Sequence, residues 1–313
     1  MGAVVYVNGR FTAKEDATVS VYDHGFLYGD GVFEGIRVYN GRIFKLDAHV
    51  DRLFESAHTL GLGIPLSRQE MIQAIMETVR RSELRDAYIR PVVSRGAGDL
   101  GIDPRKCPRP TVIIIVDTIQ LYPEDAYRKG LRMITTSTRQ RPVDVLNPRI
   151  KTCNYMNNIL ARIEANLAGV DEGLMLTTQG YVAECTADNI FTVKSGRVLT
   201  PPAHLGILQG ITRQTVLDLC GGLGIPAAEQ ILTLHDMYTA EECFLTGTGA
   251  ELGPVVELDG RKIGTGRPGP VTLRILTAFR ELAGREGTPV YEASPVQGTP
   301  HAGARQAGAQ AKV

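Results

Sequence analysis

The 313-residue chain carries no surplus of charge: Lys plus Arg and Asp plus Glu number 34 each. That balance removes the electrostatic reason to expect nucleic acid or an anionic membrane as partner, and small molecules become the better expectation. Long apolar runs are missing too, so no segment is expected to span a bilayer. The opening MGAVVYVNGR lacks the basic-then-apolar layout of a secretion signal, and Tyr6 stands where a myristoylation signal wants Ser or Thr. The expected location is cytoplasmic. The cysteines, Cys107, Cys153, Cys185, Cys220 and Cys243, are odd in number and form no C-x-x-C pair, so they read as reduced, mostly buried thiols with no zinc or redox role and no metal site is expected. No internal repeat is present. With 43% hydrophobic and 22% charged residues, the chain is an ordinary globular one, long enough for two domains sharing a large interface.

Within this frame one stretch stands out. Residues 149–168, RIKTCNYMNNILARIEANLA, place Lys151 at the end of an extended approach and ahead of a helix. Pro142 and Pro148 argue against helix before the lysine, whereas Tyr155, Ile159, Leu160, Ile163 and Leu167 recur at helical spacing and are expected to form its buried stripe, with Gly169 as the stop. Most lysines are solvated. This one is followed by Thr152, Cys153, Asn154 and then Tyr155, whose phenol could reach a ring oxygen on anything joined to the amine, as in a Schiff base.

Ahead of it, two Asn-Gly turns, Asn8-Gly9 and Asn40-Gly41, close hairpins. In VFEGIRVY, Val32, Glu34, Ile36 and Val38 share one face while Phe33, Gly35, Arg37 and Tyr39 share the other. A pocket wall or an edge strand with a solvated arginine accounts equally for the second face. Asp47 is expected to cap a helix buried through Val50, Leu53, Phe54, Ala57 and Leu60, with Arg52 off that stripe, and Ser67 with Glu70 forms a capping box for the next helix. Tyr88 and Arg90 alternate onto one strand face. GAGDLG matches G-x-G-x-x-G at Gly96, Gly98 and Gly101, but Pro104, Pro108 and Pro110 follow where a dinucleotide fingerprint must open a helix, so a dehydrogenase reading fails.

Beyond the segment at 121–129, Glu184 sits among residues that look buried, where a carboxylate must be paired or protonated; a structural ion pair is the plain alternative. Gly210-Ile211-Thr212 leads into a helix whose N-terminal amides would suit an anion, plain capping being the alternative. Gly247-Thr248-Gly249 is a second turn able to offer amides. An amine, a neighbouring phenol, a buried carboxylate, amide-rich turns and an arginine together suit pyridoxal phosphate.

In order along the chain, DHGFLYGDGVFEGIRVY, HVDRLFESA, DAYIRPVVSRG, IKTCNYMNNILA, VAECTADNIF, LQGITR and TGTGAEL resemble the fold-type IV pyridoxal-phosphate aminotransferases, and most closely the branched-chain amino acid aminotransferases of bacteria and archaea. The resemblance covers about residues 3 to 291. It implies an α/β (α+β) fold like that of D-amino acid aminotransferases: a small N-terminal sheet-plus-helices domain over 1–120 and a larger, β-barrel-like C-terminal domain over 130–292. The polar segment LYPEDAYRKG, with its proline and terminal glycine, reads as the link between them at 121–129, and the Gly-, Ala-, Pro- and Gln-rich tail over 293–313, which has no counterpart in the family, is expected to be disordered. The resemblance implies Lys151 as the Schiff-base lysine, Tyr155 as partner of the ring oxygen, Glu184 as partner of the pyridine nitrogen, and Arg52, Ile211, Thr212 and Thr248 at the phosphate. Tyr28, Phe33, Gly35, Arg37, Tyr88, Arg90, Gly247, Thr248 and Gly249 match substrate positions; Tyr88 and the turn amides would take the α-carboxylate, and Arg90 the side-chain carboxylate of glutamate. The turn departs from the pattern at Gly249, where relatives commonly have alanine. The implied reaction is a ping-pong transfer of the amino group from leucine, isoleucine or valine to 2-oxoglutarate, in a homodimer or larger homo-oligomer. D-amino acid aminotransferases and aminodeoxychorismate lyases share the scaffold, but the FEGIR segment and YIRP strand speak against both, and a vitamin B6 carrier would need no substrate arginines.

Overall fold

The computed structural model describes residues 4–119, 122 and 124–291; the tail expected over 293–313 lies outside the described residues. The first sheet is antiparallel and contains β1 (Val4–Val7), β2 (Arg10–Ala13), β3 (Gly31–Phe33), β4 (Ile36–Tyr39), β5 (Arg42–Ile43), β6 (Ala87–Ser94) and β7 (Thr111–Asp117). The second is mixed and contains β8 (Leu131–Thr135), β9 (Glu172–Leu176), β10 (Val182–Cys185), β11 (Asn189–Lys194), β12 (Arg197–Thr200), β13 (Ala227–Glu229), β14 (Glu242–Gly247), β15 (Glu251–Leu258) and β16 (Arg261–Lys262). It curls into a half-barrel whose edge strands β10 and β13 do not pair with each other. The chain then returns to the first sheet, where β17 (Thr288–Pro289) pairs with β5.

The alternation read from VFEGIRVY holds: Val32, Ile36 and Val38 are buried in the first core with Ile89 and Ile114, while Phe33, Arg37 and Tyr39 are half-buried on the other face. The two strands β3 and β4 are one register interrupted. Phe33 lies opposite Val92 and Ile36 opposite Ile89, and between them Glu34 donates its N–H to the Pro91 carbonyl at 2.9 Å. Pro91 has no N–H to return, so the ladder breaks there.

Helix α1 (His24–Tyr28) forms between β2 and β3, with Asp23 accepting the Gly25 N–H as its cap. Helix α2 (Leu46–Thr59) and α3 (Arg68–Ser82) cover the first sheet. The expected cap of α2 is corrected: Asp47 lies inside the first turn and the N-cap position is Lys45 at φ 51°. Asp47 instead accepts from Arg68 at the start of α3. The Ser67–Glu70 capping box is present. Within the stretch expected to be a plain link lies α4 (Glu124–Lys129).

The second sheet has a core on each side. One contains Leu131, Met133, Leu174 and Leu245; the other packs stacked Phe191 and Phe244 against α6 (Ile211–Gly222) and α8 (Pro270–Arg285). Helix α5 (Met156–Leu167) packs on β9, with a face opposite to the one expected. Asn158, Ala161 and Ala165 are buried, while Ile159, Leu160, Ile163 and Leu167 are exposed. Helix α7 (Leu234–Tyr238) closes the set.

Helix α8 begins without a side-chain cap of its own, at Gly269. Its free amides are met from β14: Glu242 accepts from Val271 N at 3.0 Å, Thr272 N at 2.7 Å and Thr272 Oγ1 at 2.7 Å. Gly269 makes room, since a Cβ there would lie 2.0 Å from the Glu242 carboxyl carbon. Glu242→Ala should therefore cost about 2–3 kcal/mol, one cap plus buried donors left unpaired, measured by denaturant unfolding; a loss under about 0.5 kcal/mol would mean that water caps the helix as well as the carboxylate does.

Candidate active site

Lys151 lies between two strands of the second sheet, β8 and β9, but is held by the first sheet. Its carbonyl accepts the Phe33 N–H at 2.9 Å, and its own N–H donates to Ser56 Oγ on α2 at 3.2 Å. Cys153 N donates to the Gly31 carbonyl at 2.8 Å, to which Thr152 Oγ1 also donates at 2.9 Å. The side chain then projects into a cleft of about 330 Å³ between the sheets. There Nζ lies 3.2 Å from Tyr155 Oη and 4.6 Å from the centre of the Phe33 ring.

Glu184 is buried behind one end of the cleft. Its Oε1 accepts from Gln140 Nε2, and its Oε2 accepts from Asn189 Nδ2 at 3.1 Å and the Leu208 amide at 3.0 Å. Burial nonetheless pushes its carboxyl up to about 8, against the lowering pull of the Leu208 amide, Lys151, Arg141 and Gln140. Such a group is poised to become a carboxylate when a cationic nitrogen arrives. Arg141 lies close enough for its charge to interact with both Tyr155 and Glu184.

At the other end stands Arg52. The side chain expected to be off the buried stripe of α2 is in fact pinned: Nε and Nη2 donate to Glu34 at 2.7 and 2.8 Å, and Nη1 donates to the Gln209 carbonyl at 2.9 Å. Gln209 precedes Gly210, the N-cap of α6, where no side chain caps the helix. The amides of Ile211 and Thr212 therefore face the cleft that Arg52 also lines, an arrangement that binds an anion. A Cβ at Gly210 would lie 2.0 Å from Asn189 Oδ1, so the cap must be glycine for the helix to approach this closely. Asn189 thus touches both ends.

The side wall carries Phe33, Gly35, Tyr88 and Arg90, faced by Gly247, Thr248 and Gly249. Arg90 lies over the Phe33 ring at 4.6 Å and donates to Tyr88 Oη at 3.0 Å. Gly35 is required by that phenol, because a Cβ would meet Tyr88 Oη at 1.9 Å. Gly249 is not among the described glycines with positive φ, so alanine could hold its backbone. Two expected residues lie elsewhere. Arg37 reaches the turn from behind, donating to the Gly249 carbonyl at 3.5 Å. Tyr28 is exposed outside the cleft and donates to the Leu100 carbonyl at 2.5 Å.

Several lining or supporting residues escaped the sequence reading. Ile119 and Asp188 line the cleft, and burial, aided by Glu172, pushes Asp188 up to about 7. Its signal was an acid inside the apolar run ADNIF. The pair Glu34 and His49 behind Arg52, and the pair Gln140 and Asn189 behind Glu184, had none beyond polarity at buried positions. Among the described residues no group of three or more His, Cys, Asp or Glu side chains is placed to hold a metal ion.

A cleft with a lysine between a buried carboxylate and an anion site invites comparison with known proteins. The family model described as amino-transferase class IV matches residues 31–258. The chain belongs to that family. A protein of Methanocaldococcus jannaschii is 52% identical to this aminotransferase over 289 residues, spanning 92% of this chain and 99% of that one. A branched-chain-amino-acid aminotransferase of Pseudomonas aeruginosa is 40% identical, spanning 89% and 92%. The crystal structure of the T.th. branched-chain amino acid aminotransferase complexed with N-(5'-phosphopyridoxyl)-L-glutamate superposes with a TM-score of 0.86 at 39% identity, over 91% of this chain and 95% of that one. The fold is therefore the two-domain fold-type IV architecture.

In this aminotransferase, Gly35→Ala must push the Tyr88 phenol into the cleft and away from Arg90. Turnover should fall on the order of 10²-fold, as a displacement of about 1 Å at a positioning group does, with the melting temperature nearly unchanged. Turnover within about twofold of the parent would mean that the wall tolerates the methyl group.

Proposed function

We propose that the chain transfers the amino group of branched-chain L-amino acids to 2-oxoglutarate, using pyridoxal phosphate. The observation that carries this reading is Lys151 Nζ standing between Glu184 and the anion site of Arg52 and α6, its charge felt by both Glu184 and His49. The residues fit the cofactor. Arg52 has five N–H donors of which three are engaged, leaving two for a phosphate. Around the cleft the Nε atoms of Arg37, Arg90 and Arg141 and the Thr246 hydroxyl are buried without a partner. Arg52, Ile211, Thr212 and Thr248 would hold the phosphate, Tyr155 the ring oxygen, and Glu184 the ring nitrogen.

Pyridoxal phosphate, when bound, supplies an aldehyde for the amine and an electron-withdrawing ring. With the cofactor bound, Lys151 Nζ would be its attachment point and, as a free amine, the group that takes and returns the substrate Cα proton. Tyr155 Oη, 3.2 Å away, accepts a hydrogen bond from that amine and holds it in place. Glu184 would keep the ring nitrogen protonated, its carboxyl group held in place by its three donors. The turn 247–249 and Tyr88 take the substrate α-carboxylate. Phe33 and Ile119 offer apolar surface to a branched side chain, while Arg90 accommodates the second carboxylate of glutamate. The glutamate adduct in the T.th. relative supports the same pairing of substrates.

The enzyme is proposed to be cytoplasmic, in keeping with five free cysteines, and homodimeric or larger. No helix of the described residues is long and apolar enough to cross a membrane. Tyr28 is exposed and tied to the carbonyl of the likewise exposed Leu100, and it would complete the pocket of a neighbouring copy.

Mixing the purified holoenzyme with L-leucine should convert its absorbance to that of the aminated cofactor, and 2-oxoglutarate should reverse it; conversion by D-alanine alone would overturn the substrate assignment. Lys151→Ala should bind cofactor but barely turn over, and near-normal turnover would sink the mechanism. Co-refolding Tyr28→Ala with Lys151→Ala chains should restore part of the activity both lack, since one site of each hybrid has both groups. No recovery would place Tyr28 outside the partner's site.

A further inference from the structure

Glu34 and His49 are buried completely behind the anion site, and neither lines the cleft. A carboxylate in such a place is costly unless it is fully paired. Here both oxygens are used. Oε1 accepts Arg52 Nε at 2.7 Å, and Oε2 accepts Arg52 Nη2 and His49 Nδ1, each at 2.8 Å. Because an ionised carboxylate only accepts, the shared proton sits on His49 Nδ1.

The geometry decides which edge of the guanidinium faces the ligand. Glu34 takes the Nε–Nη2 edge in a two-pronged grip, and the Gln209 carbonyl takes one N–H of Nη1. What remains is one N–H on each terminal nitrogen, on a side chain that lines the cleft with Ile211 and Thr212 at the start of α6. An arginine free to rotate would lose rotamer entropy on binding a phosphate; this one has lost it already. We infer that Glu34 and His49 are positioning residues for the phosphate end of the cofactor, acting only through Arg52. This rests on the reading of Arg52 as a phosphate ligand.

Glu34 also cancels the charge of Arg52 before any phosphate arrives. Burial pushes the Glu34 carboxyl up, but the charge and hydrogen bonds of Arg52 and the bond from His49 outweigh it and hold it well below the usual carboxylate range. Burial likewise lowers His49 despite its bond to Glu34, so the ring is neutral near pH 7. The two possible roles of Glu34 then predict opposite signs. If it acted by charge alone, its removal would tighten phosphate binding; if it orients Arg52, removal weakens it.

The test compares dissociation constants of pyridoxal phosphate and of pyridoxal, which lacks the phosphate, for the full-length apoprotein by equilibrium dialysis. Glu34→Gln should weaken pyridoxal phosphate on the order of 10- to 100-fold, as loss of a supporting contact does, and leave pyridoxal within about twofold. His49→Leu should move in the same direction, and His49→Gln, which restores an N–H donor, should recover most of the loss. Unchanged or tighter binding of pyridoxal phosphate by Glu34→Gln, or an equal loss for both ligands, overturns the inference. If Glu34→Gln does not fold, the His49 pair decides: equal behaviour of His49→Leu and His49→Gln overturns it. Arg52→Ala separates the two readings. If it abolishes the preference for the phosphorylated ligand while Glu34→Gln keeps it, only the positioning role fails; if Arg52→Ala keeps the preference, the phosphate assignment fails and takes the positioning role with it.

Discussion

Everything in the cleft depends on the tie between the lysine segment and β3. An extended segment that leaves one sheet and crosses to another must satisfy its backbone polar groups somewhere. Residues 151–153 do so on the first sheet, through Phe33 and Gly31, and on α2, through Ser56. The amine is therefore placed by the first sheet and its covering helix although the chain delivers it between two strands of the second. Gly31 permits the contact, because a Cβ there would meet the Val93 carbonyl at 2.9 Å and Cys153 Sγ at 3.1 Å. Two strands and the crossing segment meet at one residue with no side chain. The same tie places Phe33 under the lysine and Gly35 beside Tyr88, so substrate wall and reacting amine share one support.

The buried carboxylates at the two ends of the cleft differ in whether the chain supplies a cation. Glu34 has Arg52 and stays ionised; Glu184 has hydrogen bonds but no arginine in contact, and burial carries it to about 8. The consequences for stability have opposite signs. Glu34, depressed on folding, contributes stability above its ordinary value of 4.5 that is lost as pH falls through its folded value. Glu184, raised on folding, opposes the fold increasingly as pH climbs from 4.5 to about 8, where the unfolded chain ionises and the folded one does not. A site that keeps one carboxylate unpaired accepts that cost. It is removed only when a cation occupies the cleft.

Much of this was legible in the residues themselves. Period-two alternation put Phe33 and Gly35 on one face without deciding between a pocket wall and an edge strand, a local motif located the Ser67–Glu70 box, and prolines excluded a dinucleotide fingerprint where the structure has only a short turn of helix at Pro104–Lys106 between β6 and β7. Lys151, Tyr155, Glu184 and the two amide-rich turns stood out as chemistry. The supporting groups did not, since Glu34, His49, Gln140 and Asn189 act across sequence separations of 15 to 44 residues or through short polar contacts with no periodic signature. Their meaning lies in partners that only the fold brings together.

The misread face of α5 shows where pattern reasoning stops. Helical spacing finds a stripe, but not the side on which water lies. In α5 the contact with β9 is close: a Cβ on Gly173 would lie 3.3 Å from the Ala161 carbonyl and 2.7 Å from Thr136 Cγ2. At that separation only alanine and a hydrogen-bonded asparagine fit, and Asn158 indeed donates to the Thr186 carbonyl at 2.8 Å. The large residues are driven outward, leaving Met156, Ile159, Leu160, Ile163 and Leu167 exposed, the last by 84%. Apolar area removed from water is worth about 25 cal/mol per Å², so a contiguous stripe of this kind favours contact with another surface. The tight seam that fixes the helix behind the lysine thus also generates the apolar face that a homo-oligomer would cover.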